Sequence, residues 1–226
     1  MRIGDTVLTR GKLLSIQVGG VRDMALTDSS NGRPVQWSSG IYKDAVGSPV
    51  RITAGGMEGD QQSDLDNHGG PDNVVLAYDA GHYADWRARL AMPEMAYGSF
   101  GENFTVSGFS DEDVCIGDVW RVGPEVLLQV TQPRQPCFKL ARRLGRPEIV
   151  KLVMESSRGG WYLRVLREGM AAVGMEISLL ERRHPEWTVA RAVQTMYARK
   201  VNAQPAKLLA ALPELSTRWK QELLQF

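Results

Sequence analysis

Apolar and polar residues alternate between residues 13 and 135 in short runs that glycine-rich turns interrupt. Turn signals recur about every ten residues, which is the spacing typical of a β-barrel or β-sandwich. The segments that predict strands are LLSIQVGG, PVRITAGG, VVLAY, ENFTVSG, VCIGDVWRVG and EVLLQVTQ. In the last of them, Val126, Leu128 and Val130 alternate on one face. The pattern therefore predicts a mixed β/α fold that is mainly β.

A single helical pattern interrupts this strand-rich region. Asp79 is a candidate capping residue, and Tyr83, Trp86 and Leu90 follow at the i, i+3 and i+7 positions of one helix face. The sequence predicts a peripheral helix here.

After Cys137 the apolar period becomes helical. Gly145 is a typical end of a helix, and Pro147 is a typical start of the next one. The segments GGWYLRVLREG and EISLLER then return to strand-like character.

From Trp187 onward the pattern predicts three short helices. Pro205 opens the second and Ser216 caps the third. The apolar positions of the three helices are Val189, Val193, Met196, Tyr197, Leu208, Leu209, Leu212, Trp219 and Leu223. The strand pattern stops near residues 182–187, so we expect a β-barrel domain over 1–185 and a small three-helix bundle over 186–226.

The 226 residues are 43% hydrophobic, which is enough for one good-sized core. A net charge of +1 gives no field that would attract nucleic acid or an anionic membrane. No apolar run is long enough to span a bilayer, and the first residues lack the apolar run of a secretory signal, so a cytoplasmic location is expected. Two cysteines cannot form a disulfide framework or a four-ligand zinc site.

Backbone chemistry makes Cys137 a candidate reactive or metal-binding thiol. Pro133 and Pro136 each fix one φ angle, and a helix that begins at Pro136 would place Cys137 in its first turn. There the free amides and the nearby basic side chains favour a thiolate. The alternative is plain packing, because Cys137, Leu140 and Leu144 also form an apolar helical stripe. Cys115 lies in a strand without basic neighbours and is expected to be structural.

Three polar segments are further candidates for ligand contacts. Residues 59–73, GDQQSDLDNHGGPDN, contain His68 before two glycines, as a loop that cradles a ligand would. The segment FGENFTVSG places Glu102 and Asn103 just before a strand. RGGWYLRV supplies Arg164 beside an aromatic face. Taken alone, each segment is a weak signal: a solvated turn is the favoured explanation of residues 59–73, and Gly101 of the second segment would equally well serve a tight turn.

Taken in order, these segments resemble the MOSC family, the domain related to the C-terminal part of molybdenum cofactor sulfurase. The GDQQSDLDNHGGPD segment is similar to the family's GDxQxD...HGGPD motif, and FGEN, IGD and PRQPC match three more of its motifs in the same order. The segment GGWYLRV and a tail opened by WTVARAV resemble the bacterial YiiM-type subgroup. The resemblance implies a twisted β-barrel-like MOSC core with peripheral helices.

The resemblance also implies that the chain binds the molybdenum cofactor, molybdopterin with its metal, without need of pyridoxal phosphate. The family's motif cysteine corresponds to Cys137, whose thiolate would be the metal ligand. Gly69 and Gly70 would let the backbone approach the cofactor, and His68, Glu102 and Asn103 are candidates for contacts with the pterin edge. Candidates for its phosphate are Arg134, Lys139 and Arg164.

YiiM-like proteins are linked to the reduction of N-hydroxylated compounds, such as N-hydroxylated purine bases of the 6-hydroxylaminopurine type, which would serve base detoxification. The resemblance therefore implies a molybdenum-dependent oxidoreductase. His68 or Asp60 would help to supply protons. No flavin or nicotinamide fingerprint is visible in the sequence, so a separate reductase would supply the electrons.

Three other functions are weighed against this one. The chain could carry the cofactor, or sulfur as a Cys137 persulfide, without catalysis. A pair of Cys137 and His68 could hydrolyse an acyl substrate. The tail could bind DNA, but its six basic and two acidic residues give only +4, so a protein contact is favoured and homodimer formation is left open.

Overall fold

The structure is a computed structural model that describes residues 7–27, 34–62 and 70–225. Strands dominate the first two thirds of the described chain, and helices make up its end. The strands are β1 (Thr9–Val18), β2 (Arg22–Thr27), β3 (Pro34–Ser39), β4 (Asp44–Val46), β5 (Val50–Thr53), β6 (Gly56–Met57), β7 (Val75–Asp79), β8 (Phe104–Ser107), β9 (Val119–Val122), β10 (Val126–Pro133), β11 (Trp161–Arg167), β12 (Gly169–Ala171) and β13 (Glu176–Glu181). The helices are α1 (His82–Arg89), α2 (Phe138–Leu144), α3 (Ile149–Ser156), α4 (Val189–Ala198), α5 (Ala203–Ala210) and α6 (Thr217–Leu223).

Among the described residues, seven strands close into a barrel. Their order is β13-β9-β10-β11-β7-β8-β1, and pairing of β1 with β13 joins the two ends. Neighbouring strands run antiparallel except β7 and β8, which run parallel. The expected class, mainly β with a barrel and C-terminal helices, is confirmed.

The barrel interior is the main hydrophobic core. Val126, Leu128 and Val130 have no exposed side-chain surface, as their alternation predicts. Trp120 and Trp161 fill the centre with rings at 84° and centroids 5.7 Å apart. Burial of such large rings is the main stabilising contribution in a core of this kind.

A second apolar cluster lies outside the barrel and joins α1, α2 and α3. Its members include Trp86, Phe100, Leu140 and Val153. Helix α1 begins at His82 rather than next to Asp79, whose carboxylate accepts a 2.8 Å hydrogen bond from the Gly81 N–H in the turn before the helix. The expectation that Asp79 directly caps this helix is therefore corrected.

The three C-terminal helices pack into the same core as the barrel. Trp187, Leu209, Trp219 and Leu223 are at most 4% exposed and belong to the barrel's cluster. Thr188 and Ser216 cap α4 and α6 through their side-chain oxygens. Two positions expected to be apolar contacts, Tyr197 and Leu208, are instead exposed. No helix of the described ranges has both the length and the apolar character needed to cross a membrane.

Candidate active site

A pocket with a cavity volume of about 90 Å³ opens at the place where β10 leads into α2. Strand ends, the residues around Phe100 and the segment after β10 all reach it. The described residues that line it are Ser39, Gly40, Ile41, Lys43, Asp60, Gln61, Gln62, Asn73, Leu76, Phe100, Gly101, Asn103, Arg134, Gln135, Cys137, Lys139 and Tyr162.

Cys137 lines this pocket and is half-buried. Its backbone is extended, with φ −134° and ψ 173°, so it is the residue before α2 rather than a member of its first turn. Leu140 and Leu144 continue into the outer apolar cluster, but Cys137 stands aside from it. The apolar stripe therefore begins after Cys137, and the thiol is left at the pocket.

Cys115 has the opposite environment. It is 1% exposed, and burial raises the pKa of its thiol to about 11. The nearby Asp118 carboxylate acts in the same direction. Only a small fraction of this thiol is ionised at neutral pH, so Cys115 is a packing residue.

Asp60 is the centre of a buried polar network on one wall of the pocket. Its Oδ1 accepts a 3.0 Å hydrogen bond from the Gly19 N–H and forms an ion pair with Lys43 Nζ. Its Oδ2 accepts a 2.9 Å bond from Asn103 Nδ2. Because the side chains of Asp60 and Lys43 are only 4% and 7% exposed, each compensates the desolvated charge of the other.

Asn103 connects this network to the barrel. Its Oδ1 accepts from the Leu76 N–H at 3.1 Å, and its Nδ2 donates to the Gln17 carbonyl at 3.3 Å as well as to Asp60. Both ends of the Asn103 amide therefore form hydrogen bonds within the protein. Asn103 reaches the pocket wall, where its role is to hold Asp60 in place.

Burial lowers the pKa of Lys43 below the usual lysine value of 10.5, and the Asp60 carboxylate opposes that shift. The Arg143 guanidinium acts in the same direction as burial. Lys43 is therefore a pocket ammonium group that gives up its proton more readily than an exposed lysine does.

Arg134 supplies the clearest unsatisfied group of the pocket. The residue is 5% exposed, and no described residue accepts a hydrogen bond from its Nη1. Its Nη2 donates only a long 3.5 Å bond to the Phe100 carbonyl. A buried guanidinium nitrogen without an acceptor is costly, and an anionic ligand in the pocket would relieve that cost.

Tyr162 also lines the pocket, on the strand paired with the end of β10. Burial raises the pKa of its phenol, and a Cys137 thiolate raises it further, while Arg134 lowers it. Tyr162 is thus a neutral hydroxyl in the electrostatic environment that it shares with Cys137 and Arg134.

The structure places Glu102 and Arg164 away from the pocket surface. Glu102 is fully buried, and its oxygens accept from Tyr83, Thr105 and the backbone amides around residues 98–100. Arg164 donates to the Glu214 carbonyl and pairs with Asp72 at 3.5 Å. The expected ring-edge and phosphate contacts of these two side chains are therefore corrected: Glu102 shapes the loop at Phe100, and Arg164 joins the barrel to the helices.

The remaining candidates lie at or beyond the edge of the described chain. His68 and Gly69 are outside the described residues. Gly70 has φ +90°, a conformation that favours glycine, and precedes the short turn Pro71–Asn73. It does not belong to the described pocket lining.

The pocket thus joins residues from three separate sequence segments, namely Asp60, Asn103 and the group Arg134, Cys137 and Lys139. Sequence reasoning missed Lys43 and Tyr162. Lys43 lies in the segment GIYKDAV without any motif, but Tyr162 could have been found. It alternates with the buried Trp161, so it must point to the other side of β11.

Comparison with known proteins agrees with this fold. Residues 64–178 match the model of the MOSC domain, and residues 187–225 match that of the YiiM-like, 3-alpha helix domain. The uncharacterized protein YflK of Bacillus subtilis is 39% identical over 193 residues, which are 83% of this chain and 84% of YflK. The crystal structure of YiiM from Geobacillus stearothermophilus superposes with a TM-score of 0.76 at 33% identity, covering 94% of this chain and 97% of that one.

The chain therefore belongs to the MOSC domain family. Its C-terminal helices place it in the YiiM-like subgroup. A protein of Gibberella moniliformis named "Reductase" is 39% identical over 194 residues, or 85% of this chain. The match covers only 33% of that fungal protein, so this chain spans a third of its length.

Proposed function

We propose that this protein is a molybdenum-cofactor-dependent reductase of N-hydroxylated compounds, with the Cys137 thiolate as its metal ligand. The observation that carries the proposal is the pairing, in one pocket, of a half-buried thiol with a buried guanidinium whose Nη1 has no acceptor among the described residues. A soft sulfur suits molybdenum, and the guanidinium suits the phosphate of a pterin cofactor.

The residues present fit such a group. Among the described lining residues, the three cations Lys43, Arg134 and Lys139 face one carboxylate, Asp60, so the pocket favours an anion. Within the described ranges, no three His, Cys, Asp or Glu side chains are arranged to hold a bare metal ion. The cofactor would bring its own dithiolene sulfurs, so that one protein thiolate suffices.

When bound, the cofactor would supply the metal that accepts an oxygen atom and delivers two electrons. The protein's own residues would do the rest. Arg134, together with Lys139, would bind the phosphate; Cys137 would be held by the segment between β10 and α2; and Phe100 and Leu76 would shield the pocket from water.

Proton supply falls to Lys43 in this proposal. Reduction of an N–OH group to N–H releases the oxygen as water and consumes two protons. Asp60 accepts hydrogen bonds from three donors and keeps Lys43 in position, whereas the Lys43 ammonium has donors beyond the one that pairs with Asp60. The electrons would come from a separate reductase, and the fungal relative's printed name is compatible with redox chemistry.

The direct test is the reduction of N-hydroxyadenine by protein loaded with cofactor, with an artificial electron donor. We expect Cys137→Ser to lose activity by about a hundredfold or more, because a hydroxyl is a poor ligand for this metal. Cys115→Ser is the matched control, because that thiol is buried away from the pocket and should be dispensable for turnover.

Two outcomes would contradict the proposal. Normal turnover by Cys137→Ser would remove the ligand assignment. Full molybdenum occupancy of the wild type without any reduction of N-hydroxylated bases would instead favour the non-enzymatic carrier.

A further inference from the structure

We propose that α6 and the turn before it are the positioning element of the Cys137 loop, here defined as residues 132–137. Ser216 and Glu222 are the positioning residues. They contact this loop at its start and at its middle, at Gln132 and Gln135, and so determine where the Cys137 thiol stands in the pocket. This proposal concerns the C-terminal helices. Its main test is the alkylation rate of the Cys137 thiol, which does not depend on the proposed reaction.

The first contact, between Ser216 and Gln132, is at the end of β10. The Ser216 hydroxyl donates to Gln132 Oε1, and the Ser216 N–H donates to the Thr131 carbonyl at 3.1 Å. The same hydroxyl accepts from the Trp219 N–H at 3.2 Å and thereby caps α6. Ser216 and Gln132 are 2% and 5% exposed. One buried side chain therefore fixes the start of the helix and the end of the strand together.

The second contact is made by Gln135, two residues before Cys137. Gln135 Nε2 donates to Glu222 Oε2 at 3.1 Å, and Gln135 itself lines the pocket. The other oxygen of Glu222 accepts a 3.0 Å bond from Arg218 Nε one turn earlier on α6. The carboxylate is therefore held in one orientation before it meets the loop.

The loop needs such contacts because regular structure holds only its first two residues, at the end of β10. Strand β10 ends at Pro133 and α2 begins at Phe138, so the intervening residues belong to neither element. Pro136 has no N–H to donate. The Arg134 N–H donates to the Gly160 carbonyl at 2.9 Å, and the Cys137 carbonyl accepts from the Leu140 N–H at 3.0 Å. Between these two backbone bonds, Gln135 is held by its side-chain contact with Glu222.

Helix α6 is a firm support for these contacts. Trp219 and Leu223 are 1% and 0% exposed and pack in the core of the barrel. Nearby, the Thr217 N–H donates to the Asp72 carboxylate at 3.4 Å, on the segment that precedes β7. The helix thus contacts both the Cys137 loop and the segment before β7, and a loss of its contacts with the loop should loosen the thiol without opening the core.

The test measures the rate at which iodoacetamide alkylates Cys137 in protein without added cofactor. Cys137→Ser gives the background, because Cys115 is buried. Glu222→Ala should raise the alkylation rate about threefold or more, since a released loop opens more often. Glu222→Gln should restore the wild-type rate, because its amide oxygen can still accept from Gln135.

Glu155→Ala is the matched control. It removes a carboxylate that pairs with Lys151 at i,i+4 on α3, as Glu222 pairs with Arg218, but it does not touch the loop. If Glu222→Ala fails to fold, Gln135→Ala removes the same bond from the other side. Alkylation rates equal to the wild type in the folded variants would overturn the proposal. In loaded protein we also expect Glu222→Ala to lower kcat about tenfold while Glu155→Ala leaves it unchanged.

Discussion

At the scale of single residues, the pocket combines groups that a stable core would avoid. Arg134 has a buried Nη1 without an acceptor among the described residues, and the Lys43–Asp60 pair removes two charges from water. Replacement of such groups by apolar ones commonly stabilises a protein. Their presence at the one place where a thiol meets a cavity is therefore typical of a binding site and not of packing.

Lys43 gives a prediction about pH. Burial lowers its pKa below 10.5, so above that lowered pKa the folded protein has lost a proton that the unfolded chain still binds. In this window the Lys43 contribution to stability rises with pH, whereas turnover that needs the ammonium falls. We therefore expect kcat to decline on the alkaline side below pH 10.5 while the protein stays folded.

The variant Lys43→Arg separates the charge from the transferable proton. Arginine stays protonated and can keep the ion pair with Asp60. We expect near-normal melting with kcat reduced about a hundredfold and the alkaline decline absent. A pH–rate profile of Lys43→Arg that matches the wild type would exclude Lys43 as the proton donor.

Residue by residue, the sequence predicts the site best where a motif and a backbone constraint coincide. Cys137 follows two prolines and a family motif, and the structure places it on the pocket. The motif does not distinguish Asn103, which reaches the wall, from Glu102, which is buried behind it. Which of the two side chains faces the pocket depends on the direction in which the loop turns. The spacing of residues in the sequence does not determine that direction.

At the scale of elements, helix and strand types are legible from periodicity, but their partners are not. The alternation in β10 and the cap at Ser216 are local signals, and both match the structure. Arg164 follows Tyr162 by two residues on the same face of β11, yet it meets Glu214 of the helical tail and not the pocket. Long-range contacts of this kind depend on the whole fold.

The division of the chain at residue 185 is also an element-scale prediction, and the shared core leads us to expect one cooperative unit. Leu209 and Leu208 are neighbours on α5, with 0% and 54% exposure. Leu209→Ala should destabilise the protein by about 2–5 kcal/mol, and Leu208→Ala by much less. Calorimetry of Leu209→Ala should give a single transition shifted to lower temperature; a separate helical transition beside an unshifted barrel transition would contradict this.

At the scale of the whole molecule, positive and negative charges nearly cancel, but they are unevenly distributed at the pocket. The net charge is +1, but three cations and one carboxylate line the described pocket. Closure of the barrel brings β7, β8, β10 and β11 to one side, where the motifs around residues 60, 103 and 137 meet. Composition alone therefore excludes a broad electrostatic partner but does not reveal the local excess of cations among the described residues of the pocket.

The most direct test of the central claim is the molybdenum content of the protein after reconstitution with cofactor released from a molybdoenzyme, measured by elemental analysis. We predict about one molybdenum per chain for the wild type and for Cys115→Ser, and little or none for Cys137→Ser, because only the thiol at the pocket can ligate the metal. Equal molybdenum content in the wild type and Cys137→Ser, or none in the wild type, would contradict the account.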